Sequence, residues 1–157
     1  MPAPPLPLIM PSTYLSLHYH LVFSTKDRAP LIRAAIITRL HEYLGGTING
    51  LGGNSQGVGG VADHVHLLIG LPATLRLADV MRELKKASSS WMRTEGGDRA
   101  FSWQQGYAAF TVSATSREGV QRYIANQQEH HRTVPFRDEL VAMLAKAGVN
   151  YDERDFE

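Results

Sequence analysis

Two histidines separated by one residue, His64 and His66, are the side chains of this sequence best suited to bind a metal ion. They lie in an apolar stretch, residues 62–72, which follows two glycines and ends at a proline, a pattern that predicts a β-strand. Side chains alternate between the faces of a strand, so both imidazoles are expected on one face and the apolar side chains on the other, namely Val65, Leu67 and Ile69. Two imidazoles on one face of a rigid strand can bind one divalent metal ion.

The His-x-His spacing alone does not establish a metal site. His18 and His20 show the same spacing in another predicted strand and serve as an internal control, and two histidines on a half-exposed strand are the simpler interpretation. The surroundings favour His64 and His66, because their strand is otherwise almost wholly apolar and two polar rings on one face of it need partners. If the strand is regular, Asp63 is expected to face away from both rings, as a turn or structural residue.

A second group of residues that could carry chemistry lies in a predicted helix nearer the C-terminus. Tyr123 and Gln127 are four positions apart and therefore share a helix face. Val120 and Ile124 form an adjoining apolar stripe that would dock the helix. A tyrosine beside such a stripe is ordinarily a packing residue with a solvated hydroxyl, and the polar residues after it are ordinarily solvated surface. On spacing alone, both interpretations stay open.

The composition limits the classes of protein to which the chain can belong. At 157 residues it is expected to form one domain, and with a net charge of only +1 any nucleic-acid-binding surface would have to be local. The absence of cysteine excludes disulfides, thiolate zinc sites and cysteine nucleophiles, and it suits a cytoplasmic protein. No apolar run has the length of a membrane span. The predicted organisation is a flexible N-terminal tail (1–12), a single domain (13–150) and an acidic C-terminal tail (151–157).

Hydrophobic periodicity predicts the elements that must position these side chains. Strands are expected at residues 14–23, within 50–60, at 62–72 and at 107–115. Helices are expected from Leu31 to a stop at Gly45-Gly46, along the apolar stripe from Leu77 to Trp91 with Thr74 as its cap, from a capping box of Thr115 and Glu118 to about His131, and at Phe136–Ala147. The order β-α-β-β-α-β followed by two helices predicts an α+β fold. We expect a ferredoxin-like (RRM-like) βαββαβ sandwich, a four-stranded antiparallel sheet with helices on one face plus C-terminal helices.

Several short motifs, in a fixed order along the chain, resemble those of one family. They are HLVFSTK (20–26), GGVADHVHLLI (59–69), LKK (84–86), WQQGY (103–107), YIANQ (123–127) and FRDEL (136–140). The ordered set resembles the single-tyrosine HUH transposases, the small transposases of insertion sequences that move as single-stranded DNA, together with their REP-associated tyrosine transposase relatives. Family members often have glycine where this chain has Lys86, a departure that concerns local DNA contacts and not the catalytic residues.

The resemblance implies a role for each residue of the two groups. Tyr123 matches the nucleophile, His64 and His66 match the HUH metal ligands, and Gln127 matches the residue that completes the metal site. A divalent ion, Mg²⁺ or Mn²⁺, would polarise and orient the scissile phosphate, and attack by Tyr123 would give a 5′-phosphotyrosine and a free 3′-OH. The implied protein is a bacterial, cytoplasmic DNA transposase, associated with the nucleoid when bound to DNA. It would cut and join single-stranded hairpin ends as a homodimer, in which the tyrosine helix can dock on the histidine pair of the other subunit.

Residues outside the catalytic set are candidates for contact with DNA. Four basic residues lie largely off the apolar stripe of the second helix and could contact the DNA backbone: Arg82, Lys85, Lys86 and Arg93. Trp103, Gln104 and Tyr107 follow that helix and could contact or stack on single-stranded bases. For each basic residue a solvated helix face is an equal alternative, and for at least one aromatic residue core packing is the favoured role.

Two other functions stay open at this point. One is a binding module, a domesticated or catalytically inactive relative that holds DNA or RNA hairpins, although a pure binder has no need of the set formed by Tyr123, Gln127, His64 and His66. The other is a metal-dependent hydrolase of small molecules. It is disfavoured because the sequence offers no convincing carboxylate near the histidines. The hairpin sequence, the cleavage site and the choice between tyrosine attack in the same or the partner subunit also stay open.

Overall fold

A four-stranded antiparallel sheet organises the chain, and its strands and helices follow one another in the predicted β-α-β-β-α-β order. The computed structural model describes residues 1–3 and 12–156, so most of the predicted flexible tail at 1–12 lies outside the described residues. Within these ranges the strands are β1 (His18–Ser24), β2 (Asn54–Val61), β3 (His64–Gly70) and β4 (Ala108–Val112). They are ordered β2-β3-β1-β4, and every neighbouring pair is antiparallel. With helices joining β1 to β2 and β3 to β4, this is a ferredoxin-like sheet.

Helices of the described residues pack on both faces of this sheet. The α-helices are α1 (Ile37–Gly50), α2 (Leu77–Thr94), α3 (Arg117–Ala125), α4 (Gln127–His130) and α5 (Phe136–Ala147). The helices α1 and α2 bury their apolar sides against one face, among them Leu40, Leu44, Val80 and Leu84. On the other face, Ile124 of α3 packs with Leu68 and Val112. The predicted βαββαβ sandwich with additional C-terminal helices is confirmed.

The strand β3 is buried along nearly its whole length, because it lies between β1 and β2 and is covered on both faces. Val65, Leu67 and Ile69 point into the layer of α1 and α2. Leu68 points to the opposite face, and alternation places His64 and His66 on that same face. A strand buried on both faces requires a nearly continuous apolar run. The predicted division of this strand into two faces is confirmed.

The helix α1 differs from its predicted bounds at both ends. Pro30 and Leu31 precede it, and its first residue is Ile37. It also continues through the predicted stop at Gly45-Gly46 and ends at Gly50. A Cβ at Gly45 would lie 3.0 Å from the Ser55 hydroxyl oxygen of β2, so this glycine permits a close approach of strand and helix. Gly45 therefore marks packing against β2 and not a helix end, whereas a Cβ at Gly46 would meet no atom within 4 Å.

The helix that carries the tyrosine is interrupted, although its sequence pattern predicts one helix to about His131. It ends at Ala125, and Asn126 adopts non-helical backbone angles (φ −97°, ψ 16°). A new turn of helix, α4, begins at Gln127. Tyr123 and Gln127 therefore belong to two consecutive helices.

The N-caps of α3 and α2 also differ from their predictions. The N-cap of α3 is Ser116, and the hydroxyl of Thr115 pairs with Ser113 instead of closing a capping box. The N-cap of α2 is Arg76 and not Thr74. The helix α5 has its predicted bounds and ends at Gly148, whose left-handed backbone (φ 70°) favours glycine.

A glycine of β2 sets how closely α3 can approach the sheet. A Cβ on Gly59 would lie 2.2 Å from the backbone carbonyl oxygen of Ile124. Nearby, the side chain of Gln121 donates a hydrogen bond to the backbone carbonyl of Gln56 at 2.9 Å. The glycine-rich segment before the histidine strand thus allows the helix of Tyr123 to dock on it. Across the described part of the chain, no helix combines the length and the apolar character needed to cross a membrane.

Candidate metal and nucleophile site

The rings of His64 and His66 are completely buried on the sheet face that carries α3. They are the first and third residues of β3, and their ring centroids lie 5.0 Å apart. Pairing with strands on both sides fixes the backbone beneath them: His66 is opposite Gly59 of β2 and Val22 of β1. The sheet therefore holds both imidazoles in one place.

Hydrogen bonds to Nδ1 direct the Nε2 atoms of the histidines into the site. The Nδ1 of His64 donates to the carboxylate of Asp63 at 2.7 Å. The Nδ1 of His66 lies 2.8 Å from Nε2 of His20. The Nδ1 of His131, which follows α4, donates to the backbone carbonyl three residues later at 2.6 Å. Such bonds fix the orientation and tautomer of metal-binding histidines.

Two of these partners differ from the sequence prediction. Asp63 lies in the two-residue turn between β2 and β3, where strand alternation does not apply, and it reaches the ring of His64 instead of facing away. His20, one half of the control pair, contacts His66 because β1 pairs with β3. His18 contacts a glutamine of β2 instead. The His-x-His of β1 therefore contributes one of its two rings to the site.

Oxygen atoms from two helices face the Nε2 atoms. The Oε1 of Gln127 lies 3.2 Å from Nε2 of His64 and 2.9 Å from Nε2 of His131. The Oε1 of Glu139 lies 2.9 Å from Nε2 of His66, 3.2 Å from that of His131 and 3.4 Å from that of His64. Both side chains are buried. The structure brings together the three side chains predicted as ligands and adds Glu139 and His131.

The sequence prediction that no carboxylate lies near the histidines is wrong. Glu139 on α5 follows His66 by 73 positions and contacts its ring. Phe136, three positions before Glu139, stacks on the ring of His64 with centroids 4.2 Å apart. A charged residue on the buried side of an amphipathic helix needs a partner, and this is the signal in the sequence by which Glu139 can be found.

The donor set suits a divalent metal ion. One ligand atom from each of His64, His66, His131 and Glu139 lies within 4.8 Å of the others. The imidazoles offer nitrogen ligands, and Glu139 and Gln127 offer oxygen ligands. Mn²⁺ accepts both kinds of ligand, and Mg²⁺ prefers the oxygens. The types of these side chains and their closeness therefore fit a bound divalent ion.

Tyr123 is half-buried beside this cluster. Its ring packs edge-on against His66 and His130, with centroid distances of 5.8 and 5.4 Å. Its hydroxyl donates a hydrogen bond to Oε2 of Glu139. Burial, together with this hydrogen bond and the charge of Glu139, raises the pKa of Tyr123 above its ordinary value. The phenol is therefore neutral, and it must lose its proton to act as a nucleophile.

The carboxylate of Glu139, at the centre of the cluster, is held in its negatively charged form. Burial alone would raise the pKa of Glu139, but hydrogen bonds from His64 and His66 lower it well below its usual range. Burial also works against a charged His64, yet its hydrogen bonds to Asp63 and Glu139 raise its pKa. For His66 burial prevails and the pKa is lowered, and burial lowers the pKa of His20 to about 3. A neutral imidazole, the form that binds metals, is thus favoured at His66.

The four basic residues predicted to contact DNA lie across the sheet from Tyr123, on the helix α2: Arg82, Lys85, Lys86 and Arg93. Lys86 is exposed, and Arg82 is exposed within an ion pair to Asp79 at 3.1 Å. Lys85 donates to the backbone carbonyls of residues 104 and 106 at 2.6 and 2.7 Å, and Arg93 donates to that of residue 101 at 3.0 Å. Lys85 and Arg93 therefore hold the segment that follows α2.

The aromatic and amide candidates of that segment have different environments. Trp103 is 8% exposed, packs edge-on against Phe23, and donates its indole N–H to the hydroxyl of Ser88 at 2.9 Å. Trp103 therefore packs in the core, which is the alternative role predicted from the sequence for an aromatic residue of this segment. Gln104 is exposed, and its side-chain oxygen accepts a hydrogen bond from the backbone N–H of Asp27 at 2.8 Å.

Known proteins with similar sequences are transposases. Residues 13–127 match the family described as "Transposase IS200 like". The chain is 29% identical over 124 residues to the ISDra2 transposase TnpA of Deinococcus radiodurans, a match that covers 72% of this chain and 85% of that protein. The solved structure of a candidate transposase from Deinococcus radiodurans R1 superposes with a TM-score of 0.59 at 26% identity, over 76% of this chain and 98% of that one.

A further solved structure shares the fold. It is a REP-associated tyrosine transposase bound to a REP hairpin, with a TM-score of 0.58 at 15% identity, over 78% of this chain and 76% of that one. At this identity the likeness concerns the fold alone. The sequence match to the family spans most of the chain and includes His64, His66, Tyr123 and Gln127. The chain therefore belongs to the family of IS200-like transposases.

Proposed function

We propose that this transposase is a metal-dependent single-strand DNA endonuclease and strand transferase with Tyr123 as its nucleophile. The observation that carries the proposal is a chain of contacts within one subunit, from the Tyr123 hydroxyl through Glu139 to His66. A phenol joined to a buried set of metal-ligating side chains suits attack on a phosphate held by a metal ion. A pure binding module has no use for such an arrangement.

The proposed metal ligands are His64, His66 and Gln127, and the proposed ion is Mg²⁺ or Mn²⁺. A divalent ion bound there would polarise the scissile phosphate and offset part of its charge. The chain itself supplies the preorganisation, because Asp63 and His20 hold the two rings by their Nδ1 atoms. The Gln127 amide oxygen already faces Nε2 of His64 at 3.2 Å.

Attack by Tyr123 exchanges one phosphodiester for another. The phenolic oxygen forms a bond to phosphorus, its proton leaves, and the bond between phosphorus and the 3′ oxygen breaks. The products are a 5′-phosphotyrosine and a free 3′-OH. Because the new ester conserves the energy of the old one, a 3′-OH from another strand can reverse the step and join the strands without ATP.

The proposed substrate is single-stranded DNA folded into hairpins at the ends of a mobile element or at repeated palindromes, in the bacterial cytoplasm and nucleoid. A relative of the same fold has been solved bound to a hairpin, which supports this class of substrate. Among the candidates for DNA contact, we retain the exposed residues Arg82, Lys86 and Gln104. Lys85 and Arg93 hold the segment after α2, and Trp103 packs in the core. DNA that reaches both α2 and Tyr123 would pass around an edge of the sheet.

We also propose a homodimer. Tyr123 lies beside the histidines of its own chain, which supports an active site completed within one subunit. An exchange of α3 between two subunits would reproduce the same contacts across an interface. Mixing His64→Ala chains with Tyr123→Phe chains distinguishes the two arrangements, because cleavage returns only if Tyr123 acts at the partner's histidines.

An assay for a covalent protein–DNA adduct tests the proposed function. Wild-type protein, incubated with hairpin oligonucleotides and Mn²⁺, is expected to give a band that survives denaturing electrophoresis. Tyr123→Phe should give none while still binding the hairpin in a native gel. Tyr43→Phe, a change on the opposite helical layer, is the matched control and should behave like wild type. An adduct that persists in Tyr123→Phe overturns the assignment, and hairpin binding by wild type without any adduct favours the inactive binding module.

A further inference from the structure

The two oxygens of the Glu139 carboxylate face different groups. Oε1 lies among the imidazoles, 2.9 Å from Nε2 of His66 and 3.4 Å from Nε2 of His64. Oε2 accepts the hydrogen bond of the Tyr123 hydroxyl and lies 3.2 Å from Nε2 of His130. One carboxylate therefore connects the proposed metal ligands with the proposed nucleophile.

The helix α5 holds this carboxylate in place. Glu139 is 3% exposed. One turn earlier, Phe136 stacks on His64 with ring planes 18° apart, which fastens the start of α5 to β3. The backbone N–H of Glu139 donates to the carbonyl of Pro135 at 3.1 Å, so the residue lies in the first turn of the helix. A group carried on a packed helix is well suited to act at defined distances.

A purely structural role explains only part of this arrangement. A buried carboxylate needs compensating partners, and His66 and His131 supply them at Oε1. That account does not explain why the second oxygen is aligned on the hydroxyl of Tyr123, the residue that must lose a proton for the proposed reaction to occur.

We propose that Glu139 is a catalytic residue that binds the metal ion through Oε1 and accepts the proton of Tyr123 through Oε2, an inference that rests on the proposed function. As the phenolic oxygen bonds to phosphorus, its proton passes to Oε2. The 3′ oxygen leaves with the electron pair of the broken bond and takes a proton from water. In strand joining the incoming 3′-OH gives its proton to water, and Glu139 returns its own to the phenol.

A pair of matched substitutions tests both roles. Glu139→Gln keeps the size of the side chain and removes its charge and basicity, while Asp138→Asn makes the same change at the adjacent exposed residue of α5. Two quantities are measured: Mn²⁺ affinity by titration calorimetry without DNA, and the single-turnover rate of adduct formation at saturating Mn²⁺. Glu139→Gln is expected to lower the affinity about tenfold or more and to slow adduct formation about 10²-fold or more. Asp138→Asn should change neither.

Each role has its own contrary result. Because a glutamine oxygen can also bind a metal ion, Glu139→Leu is titrated beside Glu139→Gln, and wild-type Mn²⁺ affinity in both variants overturns the ligand role. A wild-type single-turnover rate in Glu139→Gln overturns the role as proton acceptor. The affinity measurement uses no DNA, so it decides the ligand role even if wild type forms no adduct. If wild type formed no adduct, the proposed function and the role of Glu139 as proton acceptor would both be refuted. The role of Glu139 as metal ligand would still be decided by the Mn²⁺ affinities.

A measurement on the wild-type protein covers the case in which Glu139→Gln does not fold, which far-ultraviolet circular dichroism would reveal. Crystals grown with Mn²⁺ locate the ion by its anomalous scattering. An ion within coordination distance of Oε1 of Glu139 supports the proposal. An ion bound by His64 and His66 with Glu139 turned away from it overturns the ligand role.

Discussion

The carboxylate of Asp63 accepts a hydrogen bond from Nδ1 of His64 at 2.7 Å. The two residues are adjacent in sequence, and adjacent side chains of a regular strand would point to opposite faces. The contact is possible because Asp63 belongs to the turn and His64 is the first residue of β3. It leaves Nε2 of His64 directed at Gln127, 3.2 Å away. A tight hairpin thus supplies both a proposed ligand and the group that orients it.

Removal of the Asp63 carboxylate is expected to weaken metal binding. Asp63→Ala frees the ring of His64 to rotate and to exchange tautomers, so Mn²⁺ affinity should fall about ten- to hundredfold in titration calorimetry. Asp63→Asn retains an oxygen that can accept the hydrogen bond and should lose less. The fold should persist, because the backbone carbonyl of Asp63, which accepts from Thr25, is unchanged. Equal affinities of Asp63→Ala and wild type would show that this contact does not orient a ligand.

Loss of either proposed histidine ligand should abolish metal-dependent cleavage of hairpin DNA. His64→Ala and His66→Ala each remove an imidazole that the buried cluster cannot replace, and cleavage with Mg²⁺ or Mn²⁺ should fall at least about 10²-fold. His18→Ala is the matched control, because His18 belongs to the other His-x-His pair and contacts Gln56 outside the cluster. Unchanged cleavage in the double variant of His64 and His66 would refute the metal site.

A histidine remote from the site should make stability depend on pH. Burial lowers the pKa of His41 from 6.5 to about 4. Between those two pH values the unfolded chain binds more protons than the folded one. The contribution of neutral His41 to the free energy of unfolding is therefore complete above pH 6.5 and is lost as the pH falls toward 4. With allowance for partial exposure, the loss is about 2 kcal/mol.

Denaturant unfolding of wild type and His41→Leu between pH 7 and pH 4, in chelator to keep the histidine cluster free of metal, measures this contribution. The wild type should lose about 2 kcal/mol more than the variant across this range. Parallel stability curves for the two proteins would contradict the prediction.

Elements with strong local patterns could be predicted from the sequence. The two faces of β3 follow from strict alternation around an apolar run, and the bounds of α5 follow from its amphipathic pattern and the glycine at its end. The grouping of His64 and His66 and the proximity of Tyr123 to Gln127 follow from spacing within one segment each. The likeness in motif order then identified the family.

Partners brought together by long-range docking could not be predicted in this way. His20 reaches His66 across 46 positions only because β1 lies beside β3. Glu139 reaches the same ring across 73 positions because the turn after α4 folds α5 back over the site. No periodicity records a strand register or the return of a helix. The sequence can mark Glu139 as a charged residue on the buried side of α5, but it does not name His66 as the partner.

The close approach of α3 to β2 should depend on the absence of a side chain at Gly59. In Gly59→Ala the new Cβ would meet the carbonyl oxygen of Ile124 at 2.2 Å and its carbonyl carbon at 3.0 Å, and backbone atoms cannot rotate aside. The helix must therefore shift, at a cost of about 1–3 kcal/mol in the free energy of unfolding. Tyr123 precedes Ile124 and moves with it, so adduct formation should slow by about 10²-fold.

Gly57→Ala is the matched control for this change. Its Cβ would meet nothing closer than the Gln121 Cγ at 3.9 Å, an ordinary contact, although it lies on the same strand two positions away. Thermal unfolding and single-turnover adduct formation, measured on both variants, separate a general weakening of β2 from displacement of α3. If Gly59→Ala formed the adduct at the wild-type rate, the position of Tyr123 would not depend on the contact between Gly59 and Ile124, and the docking of α3 on β2 would have no part in placing the nucleophile.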